Sequence, residues 1–163
     1  MMRLPWSRST RAWPRSSEDE TKRVGFATSN EVVVAVVGAH LSGMPLNSEL
    51  LALGARFVEK TVTTSDYKLY ELAGAHPPKP GLLRVPPGQG SAIEVETWQM
   101  AVEDFGRFVA LVKPPLSIGT LTLTGGREVK GFLVEAVAVA QARDISSFGG
   151  WRAFIRNRQN ASA

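Results

Sequence analysis

One histidine in a glycine-bearing loop holds the most reactive chemistry this chain offers. Residues 31–47 read EVVVAVVGAHLSGMPLN. Val32 to Val37 form a short apolar run, β-branched except at Ala35, with turn residues after it. Such a run reads as a buried strand rather than a helix. It ends in Gly38-Ala39-His40-Leu41, then Ser42-Gly43 and Pro45. Glycines where a buried strand stops let the backbone turn sharply and approach a ligand closely. A polar loop at the end of a central strand is a common place for a site. An imidazole there titrates near neutral pH and can move a proton. A structural role is the competing reading for any lone histidine.

Few other side chains compete with His40. The chain has no cysteine, which excludes disulfides, thiolate metal sites and cysteine nucleophiles. Its two histidines lie far apart in sequence, which argues against a metal site. His76 stands among prolines and reads as an exposed loop residue. Glu94 and Glu96 share one face of a strand and look into either a cavity or solvent. Tyr70 reads as core rather than as a ligand contact, and Asp144 as a cap or turn.

The elements that must position these residues follow from local pattern. Asn47 or Ser48 can cap a helix whose apolar face is Leu50, Leu51 and Leu53, and Gly54 stops it. Residues 56–63 and 67–72 read as strands. Residues 74–81, GAHPPKPG, form a loop, because three prolines fit neither a ladder nor a helix interior. A short strand over 82–85 and a turn-rich link over 86–90 come next. In the strand over 91–100, Ile93, Val95 and Thr97 face one way, and Glu94, Glu96 and Trp98 the other. Residues 101–112 form an amphipathic helix with Val102, Phe105, Val109 and Val112 at helical spacing, and Glu103 and Asp104 in the first turn. Two strands, 117–124 and 127–140, flank Gly125-Gly126 as a hairpin. A loop over 144–150 and a closing helix over 151–158 complete the chain. Strands and helices do not alternate regularly, so the fold is α+β with a mixed or antiparallel sheet that could curl into a partial barrel around a cavity.

At 163 residues the chain is one domain with enough length for a core. Its 44% hydrophobic and 21% charged content is that of an ordinary soluble protein, and no apolar run approaches the roughly 20 residues of a membrane span. The net charge of +4 sits at the ends: residues 1–24 carry +3, Arg152, Arg156 and Arg158 add +3, and the body between is −2. A nucleic-acid binder carries its basic stripe on the folded domain, so nucleic acid is not the expected partner. Residues 1–28, rich in proline, serine and mixed charge, read as a disordered basic segment that also carries Trp6 and Trp13. That segment lacks the apolar region of a secretory signal, and Glu18-Asp19-Glu20 argues against a transit peptide. The folded domain is expected over 29–158, with a flexible tail at 159–163.

Several motifs in order carry a resemblance. VVGAHLSGMPLN (36–47), LGARF (53–57), YKLYEL (67–72), PPKPGLLRV (77–85), AIEVETW (92–98), REVKGFLVEAVAVAQARDIS (127–146) and FGGWRAF (148–154) resemble the C-terminal domain of allophanate hydrolase over about 32–155. That resemblance implies a γ-glutamylcyclotransferase-like fold, a mixed β-barrel or sheet with a few short helices around a small cavity. It also implies a cytoplasmic setting and no cofactor. In the bifunctional family, an amidase-signature half with a Ser–Ser–Lys centre converts allophanate to N-carboxycarbamate. The C-terminal half is thought to speed decarboxylation of that product to carbamate. The amidase half is missing from this chain.

The glycine loop of the cyclotransferase relatives corresponds to Gly38-Ala39-His40-Leu41. Their acidic residue near the mid-chain helix has no counterpart in 105–112, which offers only apolar residues and Arg107. The resemblance therefore leaves proton transfer to His40. It implies a small carboxylate substrate, held by Lys79 and Arg84 with Pro80 and Gly81 between them and by backbone amides of the 38–41 loop. Tyr70, Glu94 and Glu96 complete the expected substrate-binding set. A separate amidase-signature protein and a second copy of the chain are the protein partners it allows. Two rival functions remain: a non-catalytic assembly module for an amidase partner, and a cyclotransferase-like enzyme on a small acid or amide.

Overall fold

The valine run becomes the middle of a mixed sheet. A computed structural model describes residues 30–162; the expected disorder of residues 1–28 lies outside them. Strand β1 (Glu31–Val36) pairs antiparallel with β5 (Glu94–Ala101) and parallel with β7 (Glu128–Val134). Strand β2 (Arg56–Val62) adds to β5, and β6 (Leu116–Thr122) to β7, giving the order β2-β5-β1-β7-β6. With neighbours on both edges and cover on both faces, Val34, Ala35 and Val36 are all buried. That is why the run lacks alternation.

A second sheet, β4-β3-β8, is antiparallel and built from β3 (Tyr67–Glu71), β4 (Pro80–Arg84) and β8 (Arg143–Asp144). The two sheets pack without closing into a barrel, so the sheet half of the fold expectation holds and the barrel half does not. Their contact is close. A Cβ on Gly81 would stand 2.9 Å from Val134 of β7.

Among the described residues four α-helices fill the connections: α1 (Asn47–Ala52), α2 (Val102–Ala110), α3 (Ala136–Val139) and α4 (Trp151–Ala161). One core cluster joins the sheets and helices. Its large members include Trp98 and Met100 of β5, Phe108 of α2, and Trp151 and Phe154 of α4.

Four local expectations change. The single strand over 127–140 stops at Val134 and turns into α3, because the apolar residues 136–139 form a helical turn instead of pairing. The cap of α1 is Leu46, not Asn47 or Ser48, and makes no side-chain bond; Asn47 Nδ2 instead donates to the His40 carbonyl at 2.9 Å. On α2 the buried residue is Phe108, while Val102 is half exposed. Helix α4 continues through Ala161, into the stretch expected to be a tail. Among the described residues, no helix is long and apolar enough to cross a membrane.

Candidate functional site

Beyond β1 the chain folds back in a tight, internally bonded loop. Leu41 N–H donates to Gly38 O at 3.0 Å, Met44 N–H to Leu41 O at 2.9 Å, and Leu46 N–H to Ala39 O at 2.8 Å. Leu41 is fully buried and anchors the loop in the core. Gly38 lies against Pro80, whose Cδ would stand 2.2 Å from any Cβ placed there. Only glycine permits that approach, and the approach brings the loop against the start of β4.

A cavity of about 670 Å³ opens at this junction. Its walls are the 37–40 loop, the 72–80 loop, and the 108–116 stretch that links α2 to β6. His40 reaches it with its side chain only 15% exposed. The ring stacks on Phe132 at 5.3 Å between centroids and meets Phe108 edge-on at 5.2 Å. These two aromatics, one from β7 and one from α2, hold the imidazole plane.

His40 Nε2 lies 2.9 Å from Oε2 of Glu49, on the first turn of α1. An ionised carboxylate only accepts, so Nε2 carries the hydrogen and Nδ1 keeps its lone pair. Burial lowers the His40 pKa below 6.5; the Glu49 hydrogen bond and charge oppose this, and the positive charge of Lys79 adds to it. At neutral pH the ring is therefore uncharged and able to accept a proton.

Of the residues expected to bind substrate, Gly38, Ala39, Lys79 and Pro80 line the cavity with His40. The others do not. Leu41 is core, and its N–H is engaged within the loop. Gly81 faces Val134. Arg84 donates to the Tyr67 hydroxyl and to the Thr120 carbonyl, each at 2.7 Å, and lies 5.2 Å from the Tyr67 ring centroid, so it is committed outside the cavity. Tyr70 sits in β3 opposite Gly81 and Asp144, outside the cavity wall. Glu94 and Glu96 are not among the cavity walls and are engaged by basic residues: Lys60 Nζ is 2.7 Å from Glu94, and Arg152 Nη2 is 2.6 Å from Glu96. A strand-face argument could not distinguish cavity from packing, because both faces of β5 are covered.

The reading from sequence missed Glu49, Phe108 and Phe132. Glu49 had a local signal, being an acid one short loop after a histidine. The two phenylalanines had none, since only the tertiary fold brings them to residue 40. His76, expected as an exposed loop residue, is exposed and stands at the cavity rim with Lys113.

With this geometry in view, the comparisons with known proteins are specific. Residues 32–156 match the family model described as allophanate hydrolase C-terminal domain. The chain belongs to that family. Urea amidolyase of Lachancea kluyveri is 37% identical over 143 residues, covering 86% of this chain and 8% of that protein. The solved Kluyveromyces lactis allophanate hydrolase superposes with a TM-score of 0.75 at 41% identity, covering 78% of this chain and 21% of that one. A uropathogenic E. coli-specific protein superposes with a TM-score of 0.71 at 30% identity, covering 77% of this chain and 96% of its own. The chain thus spans under a tenth of the curated relative, while one structural relative is about the size of this domain alone. The α+β arrangement, with an open sheet, is the fold of these solved structures and of an aig2-like protein (ggact) from Mus musculus, which superposes with a TM-score of 0.53 at 21% identity.

Proposed function

We propose that this allophanate hydrolase C-terminal domain accelerates the decarboxylation of N-carboxycarbamate to carbamate, with His40 supplying the proton. In that step the bond between nitrogen and the departing carboxyl carbon breaks, CO2 leaves, and the electron pair stays on nitrogen. A proton from His40 Nδ1 completes the carbamate. The free ring is neutral, but a dianion arriving beside it favours the imidazolium, so substrate and proton would bind together. Glu49 would then face a cation and stabilise it. Lys79 would hold the carboxylate that stays, because pairing the departing one would stabilise the ground state.

The observation that carries this reading is the paired, sandwiched imidazole at a cavity that Lys79 also lines. Upstream chemistry, ammonia release from allophanate, would belong to an amidase-signature partner or half.

The test generates N-carboxycarbamate in place with a separately made amidase domain and follows CO2 release with time. Wild-type chain should shorten the lag between ammonia and CO2. His40→Ala should restore the uncatalysed lag. Equal acceleration by His40→Ala would remove His40 from the step, and no acceleration by the wild-type chain would leave only an assembly role. Lys79→Met should raise the substrate concentration needed by about tenfold, the loss of one charge-assisted contact.

A further inference from the structure

An acid that was expected in the substrate-binding set has another task. Glu96 is 4% exposed and accepts three hydrogen bonds. Ser42 N–H and Ser42 Oγ–H both reach Oε2, at 2.7 and 2.8 Å. Arg152 Nη2 of α4 reaches Oε1 at 2.6 Å. Arg152 Nε also lies 3.6 Å from Glu94, whose other oxygen is 2.7 Å from Lys60 Nζ. Ser42 is two residues past His40, and the residue between them, Leu41, is sealed in the core.

We infer that Glu96 is the positioning residue for His40, clamping the loop at Ser42 from behind while Arg152 holds the clamp. The physical case is one of necessity. A buried carboxylate is tolerable only when charge and lone pairs are met, and here Arg152 meets the charge while the Ser42 N–H and hydroxyl meet the other oxygen. The loop's other fixings are Gly38 against Pro80, the Asn47 amide on the His40 carbonyl, the backbone bonds within the loop and the buried Leu41. Leu41 anchors the chain after the imidazole at one point, and Ser42 adds the second point that a pivot at Leu41 would otherwise lack. A rotation of the loop about Leu41 would move the ring away from Glu49 and out of the Phe108–Phe132 sandwich. The Glu96–Ser42 bonds oppose that rotation.

The molecule contains its own control. Asp144 holds Ser146 in the same two-bond way, through N–H at 2.9 Å and Oγ at 2.6 Å, on a turn that contributes nothing to the cavity. Asp144→Asn thus loosens a similar clamp elsewhere.

The chain has two histidines, so imidazole nitrogen NMR on the whole chain reads each one, with His76→Gln making the assignment. Wild type should show His40 as a single Nε2–H tautomer at neutral pH. Glu96→Gln should give a mixture of tautomers and raise the His40 pKa by about half a pH unit as water enters, with His76 unmoved. Ser42→Ala keeps the backbone bond and should give a smaller change of the same sign; it stands in if Glu96→Gln does not fold. Asp144→Asn should leave both rings alone. A wild-type His40 spectrum in both Glu96→Gln and Ser42→Ala overturns the inference, as does an equal change in Asp144→Asn. These readouts do not depend on the decarboxylation reading: if His40→Ala retains activity while Glu96→Gln still moves the ring, the chemistry falls and the positioning stands.

Discussion

Two glutamates flank one loop and differ in almost everything else. Among the described residues the Glu49 carboxylate has one partner, the His40 imidazole, and its side chain is 44% exposed. Glu96 has three donors and its side chain is 5% exposed. The first pairs with a group that can gain or lose a proton, in contact with a cavity large enough to admit a ligand. The second pairs with a guanidinium and a peptide N–H, neither of which changes charge near neutral pH. An acid that shares its hydrogen bond with a titratable ring can take part in chemistry. An acid saturated by fixed donors holds position. The reading from sequence ranked these two in the opposite order, placing Glu96 in the substrate-binding set and missing Glu49.

Four experiments break or sharpen this contrast. The largest effect is expected at the ring that Glu49 serves. His40→Ala should lower the acceleration of CO2 release about 10²- to 10⁴-fold, the usual worth of a positioned acid, measured in the coupled assay, with the fold intact by circular dichroism. Next comes the fixed acid. Glu96→Ala leaves Arg152 and the Ser42 donors without their acceptor and should cost about 3 kcal/mol in urea unfolding. If instead Glu49→Ala destabilises more than Glu96→Ala, the contrast is reversed.

Third, Glu49→Gln removes the interaction that raises the imidazole pKa. The His40 pKa should fall further, and the rate should drop about ten- to a hundredfold through lost orientation. NMR titration and the coupled assay read the two effects separately.

The smallest effect is the pH dependence of stability, and it has two windows. Burial lowers the folded-state pKa of His40 below 6.5. The unfolded chain then binds the extra proton first, so stability is full above 6.5 and declines as pH falls from there through the folded value. Burial would raise the Glu96 pKa, but the Ser42 bonds and Arg152 outweigh it and hold the pKa below 4.5. Its contribution is present above 4.5 and is lost as pH falls through the lower folded value. Urea midpoints against pH should show both declines in wild type. His40→Gln should flatten only the upper one, while Glu96→Gln should remove the Glu96 share of the lower one and, by raising the His40 pKa toward 6.5, also shrink the upper one.

How much of this was legible beforehand depends on the range of the interaction. The strand before His40 and the glycine loop announced themselves through a β-branched run and turn residues, which are local signals. The amphipathic character of α2 was legible too, but not which residue of it would be buried; the stripe through Val102 and Val109 missed Phe108. Arg84 looked like a carboxylate clamp because an arginine near a lysine and a proline-rich loop is ambiguous. Its commitment to Tyr67 and Thr120 depends on how β4 lies against β6, which no local pattern records. Glu94 and Glu96 alternated correctly along β5, yet alternation cannot say what covers each face.

By itself, then, the sequence determined the element types around the site, the presence of one imidazole in a glycine-bearing turn, and, through motifs in order, the family. Those are properties of neighbouring residues and of their spacing. The tertiary structure alone decided that Glu49 and two phenylalanines hold that imidazole, that Lys79 shares its cavity while Arg84 does not, and that Glu96 stands behind the loop. The reason is that a carboxylate's role is set by its surroundings in space, by how much water and how many fixed donors it meets. Those surroundings are supplied by α4, β7 and α2, all far along the chain from residue 40.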